Sequence, residues 1–313
     1  MRSSVKTDKS IKESSLPIPK QALSKVLAET IKTGIVKSNV IAMFAGLALA
    51  LYVNGIHPLT KLPEVIFALI GSSLVIGAAG AFNNLYDRDI DAIMDRTKNR
   101  PTVTGRMELK STLTLGISMA LIGLITLALA SPLAALFGFI GLFIYVVPYT
   151  MWSKRKTIYN TEIGSLSGAV PPLIGWAAIS SNMLHPGLIG LFLIMVLWQM
   201  PHFYAIAIRR HDEYKAANVP MLPVVKGLRR TYIQTNIYLV ALIGASFLFA
   251  SLSIGIMMAA LFFSTAWLVL SIVGYRKMSP EKWAKTMFIF SLNHLTILFV
   301  TIILYSFVGS FFK

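Results

Sequence analysis

Long apolar stretches alternate with short polar ones from about residue 32 to the end of the chain. Runs of about eighteen or more apolar residues recur, each long enough to cross a bilayer core as a helix. The alternation predicts nine spans, near residues 35–54, 62–83, 112–130, 132–150, 162–180, 187–206, 233–250, 254–274 and 286–309. Turn signals are weakest between the third and fourth spans, where only Ser131-Pro132 marks the break, and between the seventh and eighth. Pro171-Pro172 falls inside the fifth span and predicts a kink there, tolerated where neighbouring helices satisfy the freed carbonyls. The expected fold class is an all-α polytopic membrane protein, a bundle of about nine transmembrane helices over residues 32–313. Residues 1–31 are polar and rich in Lys and Ser, with no apolar core of a cleaved signal peptide. Within them Ala22, Leu23, Val26, Leu27 and Ile31 keep helical spacing, which predicts a short amphipathic helix on the membrane surface.

Composition agrees. Of 313 residues, 55% are hydrophobic and 13% charged, against about a quarter charged in a soluble domain. The chain has no cysteine, which excludes disulfides, thiolate metal sites and cysteine nucleophiles. Its net charge of +16 invites a nucleic-acid reading until the cations are placed on the spans. Of 29 Lys and Arg, 27 fall on one side and only Lys61 and Lys313 on the other. The positive-inside rule then puts the N-terminus and the loaded loops in the cytoplasm, and nine spans put the C-terminus outside. The charge is explained by topology and membrane lipid, and no nucleic-acid partner is expected. The inner loops are long and polar and the outer ones short, so the chemistry is expected on the cytoplasmic side of the cell membrane.

Chemistry concentrates in Ala81–Arg106, where Asp87, Asp89, Asp91 and Asp95 fall within nine positions. Asn83, Asp87, Asp91 and Asp95 recur every four residues, which on one helix makes a single stripe. Carboxylates so close repel one another, so a cation is expected among them. Hard oxygen ligands suit Mg²⁺, whose shell is completed by water and phosphate oxygens. Arg96, Lys98, Arg100 and Arg106 follow at once, a supply of charge for that phosphate. The bland alternative is a solvated helix end laced with ion pairs.

Two further segments lie on the same face. Tyr149 to Lys156 closes the fourth span with Lys154, Arg155 and Lys156, which suits a helix C-terminus, a lipid headgroup or a diphosphate. The sixth span ends in Trp198-Gln199-Met200-Pro201-His202-Phe203-Tyr204, followed by Arg209, Arg210, His211, Asp212 and Glu213. His202 fits a metal ligand, an acid–base group or an interhelical hydrogen bond. Asp212 and Glu213 fit a second metal position or plain surface acids. Asn39 and Asn293-His294 read as interhelical hydrogen-bonding groups, Lys32 and Lys37 as snorkelling cations. Glu64 has no assigned role.

Asn83-Asn84-Leu85-Tyr86-Asp87-Arg88-Asp89-Ile90-Asp91 resembles the first aspartate motif of the UbiA superfamily of intramembrane prenyltransferases. Tyr149 to Arg155 resembles that superfamily's Tyr-containing segment ending in Lys-Arg. The stretches 95–107, 168–178 and 198–224 are similar to the branch that farnesylates heme, and the likeness runs from about Lys32 to the last span. The resemblance implies a nine-helix bundle around a cavity open to the cytoplasmic side, with Mg²⁺, farnesyl diphosphate and heme B as reactants. It carries Asn83, Asp87 and Asp91 over as metal and diphosphate ligands, with Asn84, Arg88 and Asp95 beside them. Lys154 and Arg155 match the diphosphate-contacting pair. Beyond what the resemblance carries, Arg96, Arg100, Tyr149 and Arg209 are expected in the substrate-binding set, and His202 in contact with heme iron or in proton handling. The implied reaction is ionisation of the allylic diphosphate, attack by a heme vinyl group and addition of water. Where the superfamily has a second acidic motif, this chain has Gln199, His202 and then Asp212-Glu213, which leaves Asp212 as the candidate second metal ligand. A partner at the next step, the enzyme of heme A synthesis, is a further expectation. The competing readings are prenylation of an aromatic acid for quinone synthesis and, from another class, secondary transport.

Overall fold

The computed structural model describes residues 22–312. The expected tail up to residue 21 lies outside the described residues, as does Lys313. Chain order begins with α1 (Leu23–Thr30) and α2 (Thr33–Val53), then a 3₁₀ turn leading into α3 (Leu62–Tyr86). The short helices α4 (Arg88–Ile93) and α5 (Pro101–Thr104) precede α6 (Leu109–Ala130) and α7 (Pro132–Ile144). α7 continues through a π-helical stretch, Tyr145–Ser153, into the single turn α8 (Lys154–Lys156). α9 (Asn160–Gly168) and α10 (Val170–Ala177) follow, then α11 (Pro186–Arg209), α12 (His211–Ala216), α13 (Leu222–Ser246), α14 (Ile254–Lys277) and α15 (Pro280–Ile303). Among the described residues eight helical segments are long and apolar enough to cross a membrane. The protein is a multi-pass membrane protein.

The fifth expected span is the one that changes. Instead of one kinked helix it is two short ones meeting at Ala169, and neither crosses a membrane alone. Pro171 and Pro172 open the second helix, where a missing N–H leaves no bond unmade.

Most of α2 is apolar all round, and Ala42, Met43, Ala45 and Leu47 to Leu51 are buried, so it runs through the middle of the molecule. α10 packs on it almost backbone to backbone: a Cβ on Gly175 would collide with the carbonyl oxygen of Met43, and one on Gly46 with that of Pro172. Lipid supplies no hydrophobic drive between helices, so such close approach is what holds them. α3, α6, α7 and α10 gather on one side of α2, while α11, α13, α14 and α15 form a second group that meets α2 through α15. Tryptophans tie the second group together: Trp198 Nε1 donates to the Ser291 carbonyl (2.8 Å) and Trp283 Nε1 to that of Ser271 (3.0 Å). Leu121, Ile125 and Leu129 of α6 and Met258, Phe262 and Val269 of α14 are exposed, the face a lipid-bathed helix presents.

α1 is docked on the protein through buried Val26 and Thr30. Two residues after it, Lys32, with a left-handed backbone (φ 56°, ψ 56°), turns the chain into α2.

Candidate active site

α3 is apolar for most of its length and then delivers Asn83, Asn84 and Asp87 at its loop-bearing end. The helix breaks at Asp87 (φ −88°, ψ 10°) but keeps its hydrogen bonding, since the Asp87 N–H donates to the Asn83 carbonyl and the Asp91 N–H to the Asp87 carbonyl, 2.8 Å. Asn83, Asp87 and Asp91 therefore stay stacked, and all three are buried. The fourth rung fails. Met94 is extended (φ −86°, ψ 127°) and ends α4, turning Asp95 outward, where it is 75% exposed and pairs only with Lys98 at 2.7 Å. The expected stripe of four is a buried group of three.

Burial of two carboxylates demands neighbouring cations. The chain brings them from three directions. Lys154, set down by the π-helical stretch, pairs with Asp87 Oδ2. Arg100, folded back after α4, donates to Asp91 Oδ2 at 2.5 Å. Lys32, from the bend between α1 and α2, donates to Asn83 Oδ1. The Asn83 amide donates to Asp87 Oδ2 (2.7 Å) and Thr150 Oγ1 (3.0 Å), so every polar atom of that side chain is engaged. Burial pushes the Lys32 ammonium well below its ordinary pKa; the charges of Arg100 and Lys154 add to the effect, and those of Asp91 and Asp87 oppose it.

Arg155 is engaged differently from Lys154. It forks onto Asp89 with two bonds of 2.7 Å, donates to the Tyr86 carbonyl, and lies over the Tyr86 ring at 4.8 Å. Its distance to Asp87 Oδ1 is 3.6 Å. The hydrogen bonds from Arg155 lower the Asp89 carboxyl from 3.8 to about 2. Asn84 braces the frame: its side-chain amide donates to the carbonyl of Thr30 (2.8 Å), and its main-chain carbonyl accepts from the Thr102 hydroxyl (3.1 Å). Tyr149 packs on Gly164, with Tyr145 beside it at 5.5 Å. Tyr214 of α12 is buried near this corner: burial raises its hydroxyl pKa, and the positive charges of Arg96 and Lys154 oppose the rise. Arg88 and Arg96 are exposed at the rim.

The remaining expected residues lie apart. His202 and Arg209 are on the α15 side of α11, against Ser291 and Phe288, and no hydrogen bond or ion pair among the described residues links them to Asp87 or Asp91. Asp212 is fully exposed and contacts His211 at 2.9 Å. No three His, Asp or Glu side chains converge among the described residues. Sequence reasoning missed Lys32, Thr150 and Tyr214. Nothing in the mixed polar and apolar stretch Glu29–Asn39 set Lys32 apart in advance.

The donor set fits Mg²⁺. Two buried carboxylates and an amide oxygen are hard ligands, and Asp87 Oδ1 is buried without a hydrogen-bond partner. Their cationic ring suits the phosphate oxygens that would complete the shell.

A family model described as the UbiA prenyltransferase family matches residues 39–293. The chain is 69% identical to a protoheme IX farnesyltransferase of Shouchella clausii, over 98% of this chain and 99% of that protein. It is 62% identical to protoheme IX farnesyltransferase 2 of Lysinibacillus sphaericus, over 100% and 99%. Among solved structures, one described as bearing on digeranylgeranylglyceryl phosphate synthase superposes with a TM-score of 0.71 at 16% identity, covering 93% of this chain and 99% of that one. A UbiA homolog from Archaeoglobus fulgidus bound to GPP and Mg²⁺ superposes with a TM-score of 0.62 at 16% identity, covering 89% and 99%. These structures share the fold.

Proposed function

As a member of the UbiA prenyltransferase family and of its protoheme IX farnesyltransferases, the chain is a prenyltransferase, and we propose that it moves the farnesyl group of farnesyl diphosphate onto a vinyl group of heme B to give heme O. The observation that carries the chemistry is the buried Asn83–Asp87–Asp91 group ringed by Lys32, Arg100 and Lys154.

Asp87, Asp91 and the Asn83 amide oxygen would hold Mg²⁺, which when bound neutralises diphosphate oxygens and so makes them a better leaving group. Lys32, Arg100 and Lys154 exchange their carboxylate and amide partners for those oxygens and take up negative charge as the C1–O bond breaks. Arg155, pinned by Asp89, keeps the segment carrying Lys154 in place. Tyr145 and Tyr149 offer ring faces to the allylic cation. The terminal vinyl carbon bonds to farnesyl C1, water adds to the cationic carbon beside the porphyrin, and one proton and diphosphate leave. No covalent enzyme intermediate is needed.

We place the site on the cytoplasmic side of the cell membrane, with the N-terminus inside and the C-terminus outside, because the basic loops cluster around it. We assign catalysis to the bundle from residue 32 onwards, with α1 docked against it. The product passes to the enzyme of the next step, heme A synthesis, as the expected partner. The deciding experiment is product mass after incubating the detergent-solubilised protein with heme B, farnesyl diphosphate and Mg²⁺. A heme heavier by a farnesyl group plus a hydroxyl group, absent with EDTA, supports the reading. Diphosphate release only with a quinone precursor rejects the heme acceptor.

A further inference from the structure

A second constellation lies between α11 and α15. The Ser291 hydroxyl donates to the Phe288 carbonyl at 2.6 Å, so it accepts from His202, whose Nδ1 is 2.7 Å away. With the hydroxyl proton on that carbonyl, the imidazole carries its own proton on Nδ1, and Nε2, which has no hydrogen-bond partner among the described residues, is the free nitrogen, the tautomer of a metal-ligating histidine. Trp198 stacks on the ring at 4.5 Å, Phe288 lies 5.1 Å away, and Phe203 stands edge-on at 5.2 Å while 40% exposed. Seven residues on, on the same helical face and about 10 Å along the axis, Arg209 lies over the Phe288 ring at 5.2 Å. With Ser279, Glu281, Lys282 and Lys285 it lines a cavity of about 390 Å³. None of its three cations is ion-paired among the described residues, and Glu281 is the one acid lining it.

A lone-pair nitrogen among aromatic rings, with unpaired cations one porphyrin radius away, matches an iron porphyrin bearing edge carboxylates. We propose that the α11–α15 groove seats the porphyrin acceptor: His202 Nε2 takes the iron, and Arg209, Lys285 and Lys282 pair with the propionates. This rests on the reading that heme is the acceptor. A lipid phosphate shares the anion chemistry of the cationic end but leaves the imidazole without purpose.

The test titrates the full-length protein in detergent with ferric protoporphyrin IX and with its dimethyl ester, following the absorption spectrum. The wild type is expected to show an imidazole-ligated spectrum, which His202→Ala loses and added imidazole restores. Arg209→Gln with Lys285→Gln should weaken the free acid about tenfold or more and leave the ester unchanged. A His202→Ala protein with an unaltered spectrum and affinity overturns the iron site. Equal weakening of acid and ester, with competition by phosphatidylglycerol but not phosphatidylcholine nanodiscs, overturns the propionate site in favour of a lipid headgroup. Should His202→Ala fail to fold, the Arg209 and Lys285 comparison still decides. Ligated porphyrin without farnesylated product would leave the groove standing and reject the function; farnesylated product with a His202-independent spectrum does the reverse.

Discussion

Asp87 carries more of the site than any other side chain, because Lys154 and Asn83 both meet its Oδ2. Asp87→Asn keeps the shape but removes the charge, and turnover should fall by about a thousandfold or more, read as product mass on variant protein shown to be folded by a cooperative melt. Asp95→Asn should change neither turnover nor melting temperature, since that carboxylate faces solvent with Lys98. Lys32→Gln should raise KM for farnesyl diphosphate about tenfold in steady-state assays. The aspartates were legible in the sequence because a four-residue repeat survives a gentle bend. Asp95 was misread because the repeat gives no sign of the extended residue at Met94. Lys32 was misread because its reach depends on a left-handed bend that composition does not announce. The Asp89–Arg155 fork also predicts a pH dependence. Asp89 is lowered from 3.8 to about 2 on folding, so its stabilisation is complete above about pH 4 and is lost as pH falls towards 2. The melting-temperature gap between wild type and Asp89→Asn should therefore narrow below pH 4.

Two of the departures from regular helix serve the site. The stretch Tyr145–Ser153 widens to π-helical pitch around Pro148, which offers no N–H; the extra residue re-aims Thr150 and Lys154 towards Asn83 and Asp87. The split at Ala169 lets α9 lie against α11 while α10 drops onto α2. Gly175→Ala should lower the melting temperature in detergent by the equivalent of about 1–3 kcal/mol, because its methyl group would meet the Met43 carbonyl. The prolines of the fifth segment were visible in the sequence and a kink was the right inference. That the segment is two helices, neither a full span, was not visible, because its hydropathy reads through the break.

For the whole molecule the sequence places nearly all cations in five segments, and contacts bring several of these together: Arg106 meets Glu29, Arg100 meets Asp91, and Lys154 and Arg155 meet Asp87 and Asp89. The absence of cysteine makes the topology easy to test, since a single introduced cysteine is the only thiol. One at Glu108 should label only from the inside and one at Leu59 only from the outside. What the sequence left open was how α11 and α15 meet, because no motif spans two helices ninety residues apart. Finally, Lys32, Arg100 and Lys154 already compensate the carboxylates, so a bare divalent ion must compete with tethered charges and gains little by entering alone. An ion accompanied by diphosphate gives those charges a new destination. On the proposed function, metal and prenyl substrate would be thermodynamically linked, each strengthening the other's hold by the same factor, and the abundant free magnesium of a cell would leave the resting enzyme largely unliganded.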